Sequence, residues 1–236
     1  MVQTRRERQF SATQDEIKGI ARQHMAAEGT AALSLRAIAR DMGMTAPALY
    51  RYYPDRDALI TALILDAYYA LANAMRAATN SRPTTAYADR LYAALICYRD
   101  WAMAHPTEFQ LIFGNPIPGY QAPPEQTTPA ARSVGMVVIE TLLAAHRAGA
   151  LHIPAIYHEV PPLRDAPALY LAAAAAPNAQ PALTSIYLSG WSLAHGLVLL
   201  EMFHHTTPLL PDPAAFYRFE VLAFMRNVGL EPTDTS

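Results

Sequence analysis

Apolar residues recur at helical spacing along most of this chain, and nowhere do they alternate with polar residues at a period of two over the length of a strand. This pattern restricts the fold more than any other feature. A side chain returns to the same face of an α-helix every three or four residues, whereas successive residues of a strand face opposite ways. The chain is therefore expected to be all-α. With 236 residues, 52% of them apolar, it can bury a sizeable core.

Glycines, prolines and capping residues divide the pattern into segments. Residues 1–13 carry Arg5, Arg6 and Arg8 and read as a flexible basic arm. A first helix is expected from about Thr13 to Glu28, with Ile17, Ile20, Ala21 and His24 on one face and Gly29 as its stop. Ser34 can cap a second helix, in which Leu35, Ile38, Ala39 and Met42 share a face. Gly43 ends that helix and Met44 bridges the turn. Thr45 can cap a short third helix, with Pro47 in its first turn, where a missing N–H does no harm. Pro54 and Asp55 restart the chain as a fourth helix reaching about Ala78. Further helices are expected over 85–105, 106–113, 128–148, 165–176, 181–204 and 213–228, with long loops at 114–129 and 149–164.

Two short helices joined by a glycine-containing turn, within residues 34–53, form a helix-turn-helix layout. An α-helix fits the major groove of B-form DNA and can present side chains to base edges. Leu35, Ile38, Ala39 and Met42 would brace such a helix, with Leu49 packing back onto them. Thr45, Ala46, Ala48, Tyr50 and Arg51 then remain as its surface, and Tyr52 can either pack or point outward. The charge distribution agrees. Residues 1–60 hold nine Lys/Arg against seven Asp/Glu, while the remainder holds nine against thirteen. Spacing alone does not separate a DNA reader from other helical proteins that carry similar short segments.

The run LSLRAIARDMGMTAPALYRYYPDRDALI resembles the DNA-binding segment of TetR-type transcriptional regulators, and the upstream IKGIARQHMAAEG resembles that family's first helix. Ile38-Ala39, Gly43, Leu49-Tyr50, Tyr53 and Leu59 stand at the family's spacing. The resemblance implies DNA contacts from Arg36, Thr45, Pro47, Tyr50, Tyr53 and Arg56, with Tyr53 and Arg56 holding phosphate. Ala46 and Arg51 complete the candidate DNA-binding surface. Departures include Gly19 inside the first helix, His24 at a usually aliphatic position, Arg56 where lysine is common and Pro47 in place of a frequent glycine. For Arg5, Arg6 and Arg8 two readings stand: a solvated tail, or a contact with phosphate or the minor groove.

Domain organisation follows the same resemblance. A basic arm (1–13) precedes a small three-helix DNA-binding domain (14–60), a larger helical ligand-binding and dimerisation domain (61–229) and a tail (230–236). AHPTEFQLIFGNPIPGY (104–120) and GWSLAHGLVLLEMF (190–203) resemble a subset of such regulatory domains. Trp191 and His195 lie four apart on one helix face, with Tyr187 one turn earlier. Candidate walls of a pocket for a small apolar molecule are Trp101, Phe109, Phe113, Met136, Glu140, Tyr187, Trp191 and His195. Each has an equally simple reading as core. The resemblance implies a dimer contact through the last two helices, with Gly190, Ala194, Leu197, Phe216, Phe219, Leu222 and Met225 as candidates; the same residues can instead sit in the protomer core.

Other classes find little support. The chain has no Gly-rich phosphate loop and no HExxH spacing. His204 and His205 diverge by about 100° on a helix and share a metal poorly. Cys97 reads as a buried small hydrophobe, and it has no second cysteine to pair with. No catalytic residue, metal or cofactor is expected. No apolar run reaches the ~18 residues of a membrane span, and the N-terminus lacks the apolar segment of a signal peptide, so no membrane partner is expected; the single cysteine points to a reducing, cytoplasmic location. The chain reads as a homodimeric repressor, released from a palindromic DNA operator by a small apolar effector. The alternatives are an activator or co-ligand-dependent regulator, and, from another class, a ligand-binding helical protein or enzyme with a vestigial helix-turn-helix.

Overall fold

The structure is a computed structural model and describes residues 4–158, 181–233 and 235. Among them are nine α-helices, two short 3-10 turns and no strand. The helices are α1 (Arg5–Glu28), α2 (Leu35–Asp41), α3 (Ala46–Tyr50), α4 (Arg56–Asn80), α5 (Tyr87–Ala104), α6 (Pro106–Phe113), α7 (Pro124–Arg147), α8 (Pro181–Met202) and α9 (Pro213–Asn227). The expected helix over 165–176 lies outside the described residues.

Two boundaries differ from expectation for identifiable reasons. Residues 5–12 are helical rather than a flexible arm, because Thr4 and Glu7 form a capping box. The Thr4 amide donates to the Glu7 carboxylate at 2.7 Å, and the Glu7 amide donates to the Thr4 hydroxyl at 3.3 Å. α7 begins at Pro124 rather than near 128 and contains Pro129. That proline stands in the second turn, where its missing donor removes one helical bond without ending the helix. Asp55 caps α4 as expected, accepting from the Ala58 amide at 2.7 Å.

The chain forms two compact units. The first comprises the residues up to Tyr68 together with His105–Pro129. It is larger than the expected 14–60 because α6 and the turn after it complete its core. Leu111 and Ile117 are buried with Ile17, Ala21, Met25, Ile38, Leu49, Leu59 and Leu63, and Ile112 and Tyr120 pack against them. Two hydrogen bonds fasten the addition: Tyr68 Oη donates to the Ile112 carbonyl at 3.1 Å, and the Thr61 and Tyr120 hydroxyls lie 2.9 Å apart.

The second unit comprises Tyr69–Ala104 and the residues from Ala130 onward. Here α5, α8 and α9 pack mutually. Leu91, Leu95 and Tyr98 of α5 are buried with Ile186, Ala194 and Val198 of α8 and Tyr217, Val221 and Met225 of α9. Tyr217 is buried and donates to the Leu95 carbonyl at 2.8 Å, and burial pushes its phenol far above the ordinary tyrosine value. Arg99 of α5 grips both carboxylate oxygens of Glu201 on α8. Gly190 of α8 makes room for Phe224 of α9: a β-carbon there would lie 2.7 Å from the Phe224 ring.

Among the described residues three helices, Arg56–Asn80, Pro124–Arg147 and Ala182–Met202, are long and apolar enough by length and composition to cross a membrane, which corrects the expectation drawn from apolar runs. Isolated polar residues break the runs yet leave the mean hydropathy of these helices high. Half of the apolar window is buried within the protein in the first two helices and 33% in the third, so packing accounts for much of that character.

Candidate nucleic-acid interface

The geometry of α2, its turn and α3 is set by local chemistry. The Ser34 hydroxyl accepts from the Ala37 amide and so starts α2. α2 closes through two bonds, the Gly43 amide to the Arg40 carbonyl (3.0 Å) and the Met44 amide to the Ala39 carbonyl (2.8 Å). This closure requires a left-handed residue, and Gly43 supplies it with φ of 65°. Thr45 then caps α3 by accepting from the Ala48 amide at 3.4 Å. α3 is a five-residue helix and cannot be stable alone. Leu49, fully buried, anchors it in the core that holds Ile38 and Ala39.

With Leu49 turned inward, α3 presents Thr45, Pro47 and Tyr50 to solvent, followed by Arg51; Ala46 and Ala48 are half-buried. Arg36 and Arg40 of α2 are exposed as well. These residues form the outer surface of the helix-turn-helix.

Two of the residues expected to hold phosphate also have roles within the fold. Tyr53 is only 6% exposed. It stands four residues after Leu49 and shares that inward face, and burial raises its phenol pKa. Its neighbour Tyr52 lies toward the surface instead, half-buried, and stacks on Phe10 of α1 with ring centroids 4.6 Å apart. Arg56 is also engaged within the protein. Its Nε donates to the Leu33 carbonyl and its Nη2 to the Ala31 carbonyl, both at 3.1 Å, so the guanidinium clamps the chain between α1 and α2. Nothing in the spacing pointed to that clamp, because the carbonyls lie 23 and 25 residues away.

Several charges of the unit neutralise one another. Lys18 meets Asp66 at 2.7 Å and Asp15 at 3.0 Å; burial opposes the lysine charge, but these carboxylates hold its pKa above the ordinary value. Arg22 lies 3.2 Å from Asp66 and 3.4 Å from Glu108, which ties α1 to α4 and α6. His24 is not a core residue. Its Nε2 lies 2.7 Å from an Asp41 carboxylate oxygen, and that hydrogen bond holds the Asp41 carboxyl below its usual value.

In the second unit, three aromatic groups meet. The Tyr98 hydroxyl lies 2.7 Å from His195 Nδ1, and Trp191 stacks on the His195 ring at 5.1 Å. Burial lowers the His195 pKa, which favours the neutral imidazole. Tyr98 lies on α5, so no spacing along the chain links it to Trp191 and His195 of α8. Of the other pocket candidates, Trp101 is buried and Met136 and Tyr187 are half-buried. Glu140 is exposed and paired with Arg76 at 3.2 Å, which corrects its place as a wall of an apolar pocket. Phe109 and Phe113 belong to the first unit, their rings 4.9 Å apart, with Phe109 fully buried.

Among the dimer candidates, Met225 and Ala194 are corrected, because both are buried inside the protomer. Gly190 is already covered by Phe224. Leu197, Phe216 and Leu222 are half-buried, and Phe219 is 61% exposed. Cys97 is half-buried rather than enclosed, with its thiol pKa raised by burial and by Asp100. Among the described residues no group of three or more His, Cys, Asp or Glu is placed to hold a metal ion.

Two family models match the chain. One, described as bacterial regulatory proteins, tetR family, matches residues 20–63. The other, tetracyclin repressor-like, C-terminal domain, matches residues 91–224, more than half of the chain. The HTH-type transcriptional regulator Rv1816 of Mycobacterium tuberculosis is 36% identical over 138 residues, which cover 58% of this chain and 59% of that protein, so the match spans less than two thirds of the relative. The crystal structure of the regulatory protein SCO4313 superposes with a TM-score of 0.76 and 33% identity, covering 94% of this chain and all of the other. RolR, solved in complex with resorcinol, shares the fold at a TM-score of 0.53 and 15% identity, covering 97% of this chain and 93% of its own.

Proposed function

The chain belongs to the tetR family of bacterial regulatory proteins, transcription regulators rather than enzymes, with a helix-turn-helix DNA-binding domain, and from that premise we propose that it is a homodimeric repressor, released from a palindromic operator by a small, largely apolar molecule. The observation that carries this reading is the exposed face of the braced helix-turn-helix. Arg36, Thr45, Tyr50 and Arg51 stand free of the core that fixes α2 and α3. Arginine can hold phosphate or guanine edges, threonine and tyrosine hydroxyls can meet phosphate, and Ala46, Pro47 and Ala48 suit thymine methyl groups. With so few polar groups on α3, part of the specificity would come from DNA shape.

Supporting the dimer, α8 leaves Leu188 and Leu200 exposed and α9 leaves Phe219 exposed, an apolar surface suited to cover by a second copy. Two reading heads would then meet half-sites about one helical turn, ~34 Å, apart or a multiple of it. Supporting the effector, Trp191, His195 and Tyr98 combine flat apolar rings with one polar anchor, the mixture that small-molecule sites use. The resorcinol-bound RolR is a precedent for the fold holding a small aromatic molecule. An effector that binds one dimer geometry more tightly shifts the population away from the one that matches the operator. The protein would act in the cytoplasm, where its DNA is.

The test is selection of duplexes from a random-sequence pool, followed by a thermal-shift screen of small aromatic and aliphatic compounds. Expected results are a palindromic consensus, and a stabilising compound that lowers operator affinity. Trp191→Ala should alter the response to that compound while leaving operator binding without it intact. Equal affinity for selected and random DNA would sink the regulator reading. A stabilising compound that raises operator affinity would replace release with co-ligand dependence.

A further inference from the structure

The outer turns of α1 lack a structural explanation within the protomer. Every residue from Thr4 to Ala12 is exposed, and the first buried residue of the helix is Ile17. A helix segment with no buried face gains little from tertiary packing and is marginal in water. Yet this one is capped at Thr4 and is held at one further point, the stack of Phe10 on Tyr52. Tyr52 lies two residues past the end of α3, so the stack fixes α1 beside the reading helix. Phe10 remains 42% exposed, so the contact positions the helix more than it buries apolar surface.

Charge and register give the segment a partner. Arg5, Arg6 and Arg8 are all exposed, and the only carboxylate among residues 4–12, Glu7, is engaged in the capping box. Arg6, Phe10, Thr13 and Ile17 stand at i, i+4, i+7 and i+11, so Arg6 extends the stripe by which α1 packs on the helix-turn-helix. It lies one turn, ~5.4 Å of rise, beyond the residue that touches Tyr52.

We infer that the outer turns of α1 are a second DNA-contacting element, in which Arg6, positioned by the Phe10–Tyr52 stack, binds a backbone phosphate flanking the bases faced by α3. This rests on the DNA-binding reading of the helix-turn-helix. A disordered arm would lose conformational entropy on meeting DNA, whereas a capped and stacked helix has already lost it, so the contact is preorganised. Arg5 and Arg8, on other faces of the same turns, add to the local positive field.

The experiment measures affinity against salt for a duplex selected by the wild-type protein. Each phosphate neutralised contributes a slope of about 0.9 in log affinity against log salt. Arg6→Ala should lower the slope by about 0.9 for each protomer bound, and Arg6→Lys should restore most of it. Phe10→Ala should lower the slope as Arg6→Ala does, by freeing the helix that carries Arg6. Both substituted positions are exposed, and unchanged unfolding midpoints in urea would show that the fold is intact. An unchanged slope in Arg6→Ala overturns the inference while the helix-turn-helix reading stands. A slope loss that depends on the flanking base sequence overturns the phosphate assignment in favour of base reading in the minor groove. If the wild-type protein selects no duplex at all, the regulator reading itself fails.

Discussion

Replacing Arg56 separates a structural role from a DNA-binding one. The guanidinium makes two charge-assisted hydrogen bonds, to the carbonyls of Leu33 and Ala31, each at 3.1 Å. The Leu33 bond is partly buried and the Ala31 bond is exposed. A buried hydrogen bond to a charged group is worth about 1.5–3 kcal/mol, and exposure reduces that strongly. Arg56→Ala should therefore destabilise the first unit by about 1–2 kcal/mol, most of it from the Leu33 carbonyl. Urea unfolding followed by circular dichroism would register a lower midpoint with an unchanged m-value. Salt titration of operator binding, under conditions where the variant remains folded, should give the wild-type slope, because no phosphate contact has been removed. Arg56→Lys should recover only part of the stability, since an ammonium lacks the planar fork that reaches both carbonyls. A fully stable Arg56→Ala protein whose slope falls by about 0.9 per protomer would refute the clamp and restore the phosphate contact.

Two glycines of α8 should respond oppositely to alanine. Gly190→Ala places a methyl group 2.7 Å from the Phe224 ring, and the overpacking should outweigh the gain in helix propensity, for a net loss of about 1–2 kcal/mol in urea unfolding. Gly196→Ala meets nothing within 4 Å in the protomer and should gain up to about 1 kcal/mol; if it instead lowers the mass seen by sedimentation, Gly196 lies in the subunit contact. His195 predicts a pH dependence. Its pKa is below the ordinary histidine value in the folded protein, so between those two values the unfolded chain binds more protons. Its contribution is complete above about pH 6.5 and is lost as pH falls toward the lower folded value. Thermal unfolding scanned downward from neutral pH should show a decline that His195→Gln lessens, and identical pH profiles for the two proteins would contradict this.

Much of the architecture was legible because it is local. The caps at Ser34, Thr45 and Asp55 act within three residues, the left-handed turn at Gly43 within six, and the burial of Leu49 follows from its place on a short amphipathic stretch. The extension of α1 was legible too, since Thr4 and Glu7 stand at capping-box spacing, but the arginines between and after them read as a solvated arm. Periodicity tells which face of a helix is apolar and leaves open which element covers it. Only the tertiary structure decided that α6 and Ile117 complete the core of the DNA-binding unit, that Tyr53 turns inward while Tyr52 meets Phe10, and that Arg56 holds carbonyls 23 and 25 residues away. The helix-turn-helix is a local object and could be read from its own residues. The surface around it is made by segments distant in the chain, and a one-dimensional pattern carries no record of their meeting.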